Sequence, residues 1–221
     1  MIRMPAAFNR RHVISLAGAA AAGLAFAGGA NAQQRSPEGT VDAAKIAEPG
    51  KLKDMVYGKA DAPVTIVEYA SLTCPHCAAF AEGTFPKLKE KYIDTGKVRY
   101  IFREMPFDDL ALAAAMVLRC VPKEKAIPMM EMLFEQQKTW YSQNAREELF
   151  KIAKLSGMTQ AQFDACLVNE DVAKGIIAAA ERATKEFGVK STPTFFINGK
   201  MAVGNIPLDQ LDKMIQEASP S

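Results

Sequence analysis

Val64-Thr65-Ile66-Val67-Glu68-Tyr69-Ala70-Ser71-Leu72-Thr73-Cys74-Pro75-His76-Cys77 is the stretch around which the rest of the chain is read. It opens as an apolar, β-branched run of the kind that forms a buried strand. Ser71 and Thr73, residues suited to capping a helix, come next. Pro75 then suits a helix's first turn, because the amide it lacks would be unpaired there anyway. Cys77 to Tyr92 is largely helix-compatible, with Gly83 and Pro86 as expected kinks. The prediction is strand, short turn, helix, with two cysteines at the helix start.

That placement has a chemical consequence. A helix N-terminus presents unpaired amides and the positive end of the helix dipole, which favours a thiolate. Cys74 lies nearest those amides, and His76 adds positive charge or a hydrogen bond. Cys77, one turn on, sits deeper and is placed to resolve a mixed disulfide formed at Cys74. A lone C-x-x-C also looks like half a zinc site. Zinc needs further ligands, however, and the other histidine, His12, falls in a targeting segment. Cys120 and Cys166 are single rather than paired, and a c-type haem needs histidine where Ala78 stands. The reading is a redox pair with no metal and no cofactor.

Residues 1–32 read as an export signal. Arg3, Arg10 and Arg11 give a positive start without an acidic residue, and an apolar run extends from Val13 to Ala30. Ala30-Asn31-Ala32 fits a small-x-small cleavage site. The run is Ala/Gly-rich and weakly apolar, which favours cleavage over a retained anchor. The expected location is the periplasm, with the export route left open. The whole chain has 27 basic and 25 acidic residues, net +2. Without the three signal arginines it has 24 basic against 25 acidic, so nothing points to nucleic acid or acidic membranes. The remaining 189 residues suit one domain with an inserted subdomain, and four cysteines are compatible with an oxidising compartment.

Residues 33–60 read as a mostly extended arm with a short turn near Met55–Gly58; it lacks a heptad pattern, which favours a monomer. Lys97–Arg103 alternates like a strand, ended by Pro106. Residues 107–187 are mostly helical: Leu110–Val121, Lys123–Gln137 with Pro128 as a kink, Ala145–Leu155 capped by Asn144, a capping box at Thr159/Gln162, and a long helix stopped by Gly188. Residues 191–197 form a strand entered through Pro193, Asn198-Gly199 is a type I′ hairpin signal, and Lys200–Val203 is its partner. Pro207–Ala218 closes the chain as an amphipathic helix.

Strand, C-x-x-C, helix, then much later Thr-Pro, strand, hairpin and helix resembles the thioredoxin fold. The helical block between its halves resembles the DsbA family of exported thiol–disulfide oxidoreductases. Cys74-Pro75-His76-Cys77, Glu68 six residues before Cys74, and Thr192-Pro193 carry the resemblance. It implies an α/β thioredoxin-fold domain at 61–106 and 188–221, with an all-helical subdomain inserted at 107–187. It also implies a cis Pro193 against the active-site disulfide, exposing nearby backbone for client peptides. Glu68 alone could face solvent or core; the resemblance makes it a buried acid with a raised pKa that relays a proton to or from Cys77. Cys120 and Cys166 resemble a second disulfide of some branches, which would close a 47-residue loop and add about 4 kcal/mol; two buried free thiols remain the alternative.

The implied function is introduction of disulfides into reduced or unfolded clients, with reoxidation by a DsbB-like membrane partner. Thr192 departs from this. The best-known oxidases carry Val there, and isomerase-like members often carry Thr. A disulfide isomerase or reductase kept reduced by a membrane electron donor is therefore the alternative. A redox-inert binding module on the same fold is disfavoured by the intact cysteines.

Overall fold

The computed structural model describes residues 39–220; the export-signal reading of residues 1–32 lies outside the described residues. Strands β1 (Met55–Tyr57), β2 (Val64–Ala70), β3 (Val98–Glu104), β4 (Thr194–Ile197) and β5 (Lys200–Val203) form one five-stranded sheet in the order β1-β3-β2-β4-β5. β2 and β3 run parallel, whereas β1–β3, β2–β4 and β4–β5 are antiparallel. The helices are α1 (Ala43–Ala47), α2 (Pro75–Gly83), α3 (Phe85–Leu88), α4 (Asp109–Cys120), α5 (Lys123–Glu135), α6 (Gln137–Trp140), α7 (Ala145–Leu155), α8 (Gln160–Leu167), α9 (Glu170–Phe187) and α10 (Leu208–Ala218). Among the described residues no helix is long and apolar enough to cross a membrane.

β2 is central and covered on both faces, which is why its sequence is almost continuously apolar. Side chains alternate across a strand. Val64, Ile66 and Ala70 join the core formed with α2 and the helices between β3 and β4, while Val67 and Tyr69 pack with Ile46, Phe187 and Phe196 on the other side. Glu68 has the parity of Ile66 and so falls on the face that carries the cysteine helix.

The long helical reading after Cys77 breaks as its kink residues suggested. α2 ends at Gly83, Thr84 separates it from α3, and Lys89–Ile93 widens into a π-helical turn. The capping box is present at Thr159/Gln162. Asn144 occupies the cap position of α7, but its side chain makes no capping bond. Cys120 at the end of α4 is disulfide-bonded to Cys166 of α8.

The segment at residues 55–58, read as a turn, supplies edge strand β1, and Ala43–Ala47 is helical. The arm is fixed by Arg103, which donates to both Asp54 carboxylate oxygens (2.8 and 2.9 Å), to the Ile46 and Glu48 carbonyls (2.8 Å each) and to the Tyr69 hydroxyl (3.0 Å). Arg119 pairs with buried Glu104 and reaches the Lys53 carbonyl. A buried guanidinium with its donors satisfied holds geometry more than it adds stability.

The hairpin has φ of 44° at Asn198 and 86° at Gly199, as a type I′ turn requires. The Val41 amide donates to the Gly199 carbonyl at 2.8 Å, and a Cβ on Gly199 would lie 2.2 Å from the Val41 carbonyl oxygen. Gly199→Ala therefore combines a positive φ with a backbone clash and is expected to lower unfolding stability by about 2 kcal/mol or more. Urea unfolding checks this; an unchanged midpoint would mean that the arm yields without cost.

Candidate active site

The site is built where β2 ends and α2 begins. The turn Ser71–Thr73 closes with the Cys74 amide donating to the Ser71 carbonyl at 3.1 Å. Cys74 is the N-cap of α2 in extended conformation, and Pro75 occupies the first helical position. The amides of Cys77 and Ala78 both donate to the Cys74 carbonyl at 3.1 Å. Period and position then sort the two sulfurs. Cys74 is half-buried, and Cys77, one turn on, is fully buried. Both are free thiols. Pro75 and His76 are exposed.

The Thr192–Pro193 bond is cis, and the loop carrying it meets the helix start from β4. The Cys74 thiol donates to the Thr192 carbonyl at 3.3 Å. Cys74's pKa is lowered to about 5. The largest cause is a hydrogen bond from the Cys77 thiol; burial opposes it, and the Thr192 side chain and the Cys77 and His76 amides add to the lowering. Cys77 moves the other way: burial pushes its thiol up, reinforced by the bond to Cys74 and the charge of Glu68. One thiolate and one thiol sharing a proton is the arrangement these opposite shifts describe. The His76 backbone amide is among the groups that support the Cys74 thiolate.

Glu68 is 4% exposed. Burial raises its pKa to about 8, against the lowering effect of the bond from Tyr100, whose hydroxyl donates to Oε2 at 2.5 Å; the Cys74 charge raises it further. No hydrogen bond joins Glu68 directly to either sulfur among the described residues, so a proton passing between them needs a bridging water.

Other groups at the site are not legible from the motif. Gln137, buried at the start of α6, donates through Nε2 to the carbonyls of Leu72 (2.8 Å) and Cys74 (3.0 Å). Asp108, the N-cap of α4, accepts from the Thr73 hydroxyl at 2.6 Å and from the Ala111 amide at 2.8 Å. Thr73 caps no helix itself; it joins the catalytic turn to the helical block. Asp108 could have been found as a cap residue opening an apolar helix. Nothing near Gln137 in sequence marks it.

Iodoacetamide alkylation of the reduced protein tests the electrostatics. Cys74 is expected to react half-maximally near pH 5 and to plateau by about pH 7, with Cys77 protected by burial. A midpoint near that of a free thiol, about 8.5, would remove the thiolate assignment.

Residues 51–217 match the family model described as Thioredoxin. A protein of Rickettsia conorii named as a protein-disulfide oxidoreductase is 34% identical over 189 residues, 85% of this chain and 68% of the relative. The chain belongs to the DsbA-like thioredoxin family. A Bacillus cereus relative named disulfide bond formation protein D is 30% identical, covering 72% of this chain and 76% of its own. The crystal structure of Wolbachia pipientis alpha-DsbA1 superposes with a TM-score of 0.72 at 33% identity, covering 80% of this chain and 98% of that one. BdbD from Bacillus subtilis gives 0.68 at 26%, covering 75% and 92%. This DsbA-like chain is therefore a protein thiol–disulfide oxidoreductase on a thioredoxin fold.

Proposed function

We propose that this DsbA-like protein is an exported dithiol oxidase acting through Cys74 and Cys77 on reduced, unfolded clients in the periplasm. The observation that carries the reading is the split between the two cysteines, a half-buried, thiolate-stabilised Cys74 and a fully buried Cys77 held as thiol. In the oxidised enzyme a client thiolate attacks the Cys74 sulfur, forming a mixed disulfide and releasing Cys77 as a thiolate. Glu68, protonated up to about pH 8, supplies the proton that converts it to a thiol. A second client thiolate attacks the client sulfur of the mixed disulfide and expels Cys74 as a thiolate. The client gains a disulfide, and the enzyme leaves with two electrons and one thiol proton. Stabilising the departing thiolate stabilises the reduced enzyme and so makes the disulfide a stronger oxidant.

Pro75 fixes the helix start, the His76 amide supports the thiolate, and Thr192-Pro193 presents backbone to the client chain. Cys120–Cys166 is assigned a structural role. The functional division is a thioredoxin part at 61–106 and 188–221 with the helical insert at 107–187, acting as a monomer. A quinone-linked membrane protein of the DsbB type would return the pair to the disulfide.

Thr192 favours a second reading, an isomerase or reductase, because its side chain is among the groups that lower the Cys74 pKa. The reduction potential of Cys74/Cys77 against glutathione separates the two, with Cys120–Cys166 kept intact. A value near about −120 mV is expected for the oxidase, and one near about −270 mV would move the assignment to a reductant.

A further inference from the structure

Between the sheet, α2 and α5 lies a cavity of 590 Å³ that does not include either redox sulfur in its lining. Its walls are aromatic: Tyr57, Phe80, Phe85, Tyr100, Phe102 and Phe134. Its charged groups are nearly all carboxyls. Glu82, Glu131 and Glu135 stand exposed at the mouth, and Glu68 is buried at the floor. The single cation in the lining, Lys89, is neutralised by both oxygens of Asp94 at 2.8 and 2.9 Å. Tyr57 donates to Glu131 at 3.2 Å, which ties that carboxylate to the cavity wall. Glu68 accepts from Tyr100 through Oε2 only; its Oε1 has no hydrogen-bond partner among the described residues and belongs to a side chain lining the cavity.

From this arrangement we infer that the cavity is a binding site for a small organic cation with an aromatic or other apolar body. Ring faces carry negative quadrupole density and attract a cation, most strongly where water is excluded. The carboxylates at the mouth add charge selection, and the rings take up the apolar body. An anion would meet the three carboxylates of Glu82, Glu131 and Glu135 and no free cation, and a neutral ligand would gain the rings but not the charge. The volume falls within the range of about 300–1,000 Å³ that holds small ligands. An occupant would touch Glu68 and leave Cys74 free, so its influence on the thiol pair would pass through that carboxyl. The site goes beyond the thiol chemistry and stands whether the protein is an oxidase or an isomerase.

The test uses the intact, reduced protein with benzyltrimethylammonium, benzyl alcohol and benzoate as probes, followed by calorimetry and by proton NMR. The cation is expected to bind saturably and about tenfold tighter than the alcohol, with benzoate silent. Intermolecular NOEs are expected to Tyr57, Phe85 and Phe134. The double variant Glu131→Gln/Glu135→Gln is expected to lose about fivefold in cation affinity while its affinity for the alcohol is unchanged, which also reports that the cavity remains folded. Equal affinity for all three probes, NOEs elsewhere, no saturable binding, or a double variant that binds the cation as well as the parent would each overturn the site.

Discussion

Cys74→Ser is expected to reduce thiol–disulfide exchange to the uncatalysed background, whereas Cys77→Ser is expected to accumulate mixed disulfides with clients. The asymmetry follows from burial. Cys74 is the half-exposed cysteine that a client thiolate can reach, and Cys77, in the first turn of α2, is 0% exposed. Serine at position 74 leaves no accessible sulfur. Serine at position 77 leaves the attacking thiolate but removes the group that would release the client from it. Insulin reduction and oxidative refolding of a reduced substrate read the first effect. Non-reducing electrophoresis with trapped clients reads the second. Full activity in Cys74→Ser, or client adducts that survive loss of Cys74, would end the site assignment.

Glu68→Gln should separate proton delivery from folding. The variant keeps an acceptor for the Tyr100 hydroxyl but holds no transferable proton. The step that releases Cys77 is expected to slow by about 10²–10⁴-fold, the range for a positioned acid or base. The pH profile of exchange should lose its inflection near pH 8. Stability moves the opposite way. A carboxyl raised to about 8 by burial keeps its proton in the folded state after the unfolded chain has lost it. Its contribution is therefore fully present below about pH 4.3 and is lost as pH rises through the folded value. Glu68→Gln removes that loss, so the variant should be more stable than the parent by up to about 4 kcal/mol at pH 8, with little difference at pH 4. A variant no more stable at pH 8 and unchanged in rate would show that the carboxyl is hydrated and idle.

Much of this was legible in the residues themselves. The β-branched run from Val64, Pro75 at the helix start and the Asn198-Gly199 turn each dictate local structure by sterics, and each element formed. Glu68 was not decidable that way, because β2 is buried on both faces and alternation no longer tells inside from outside. The resemblance placed it in the interior, and the strand register now gives the face. β1 escaped because Met55-Val56-Tyr57 is too short for a periodicity and runs directly into Gly58; only pairing to β3 makes it a strand. Asn144 had the chemistry of a cap but not the backbone, with φ −98° and ψ 25°. Gln137 was invisible for a different reason: its partners lie 63 and 65 residues away, and no local pattern encodes a contact at that range.

The two bonds from Gln137 bear on how such a chain can change over generations. The carbonyls of Leu72 and Cys74 lie in the turn between β2 and α2, and the amide that bonds them lies at the start of α6, among the helices between β3 and β4. Without those helices the Cys74 carbonyl would keep the Cys77 and Ala78 amides, but the Leu72 carbonyl would lose its donor beside the reactive sulfur, a cost of about 1–3 kcal/mol if it stays buried. The helical block is thus not an ornament that can be traded between lineages at will. Block and motif share one side chain, so a graft without a glutamine at this place would lose the donor to the Leu72 carbonyl.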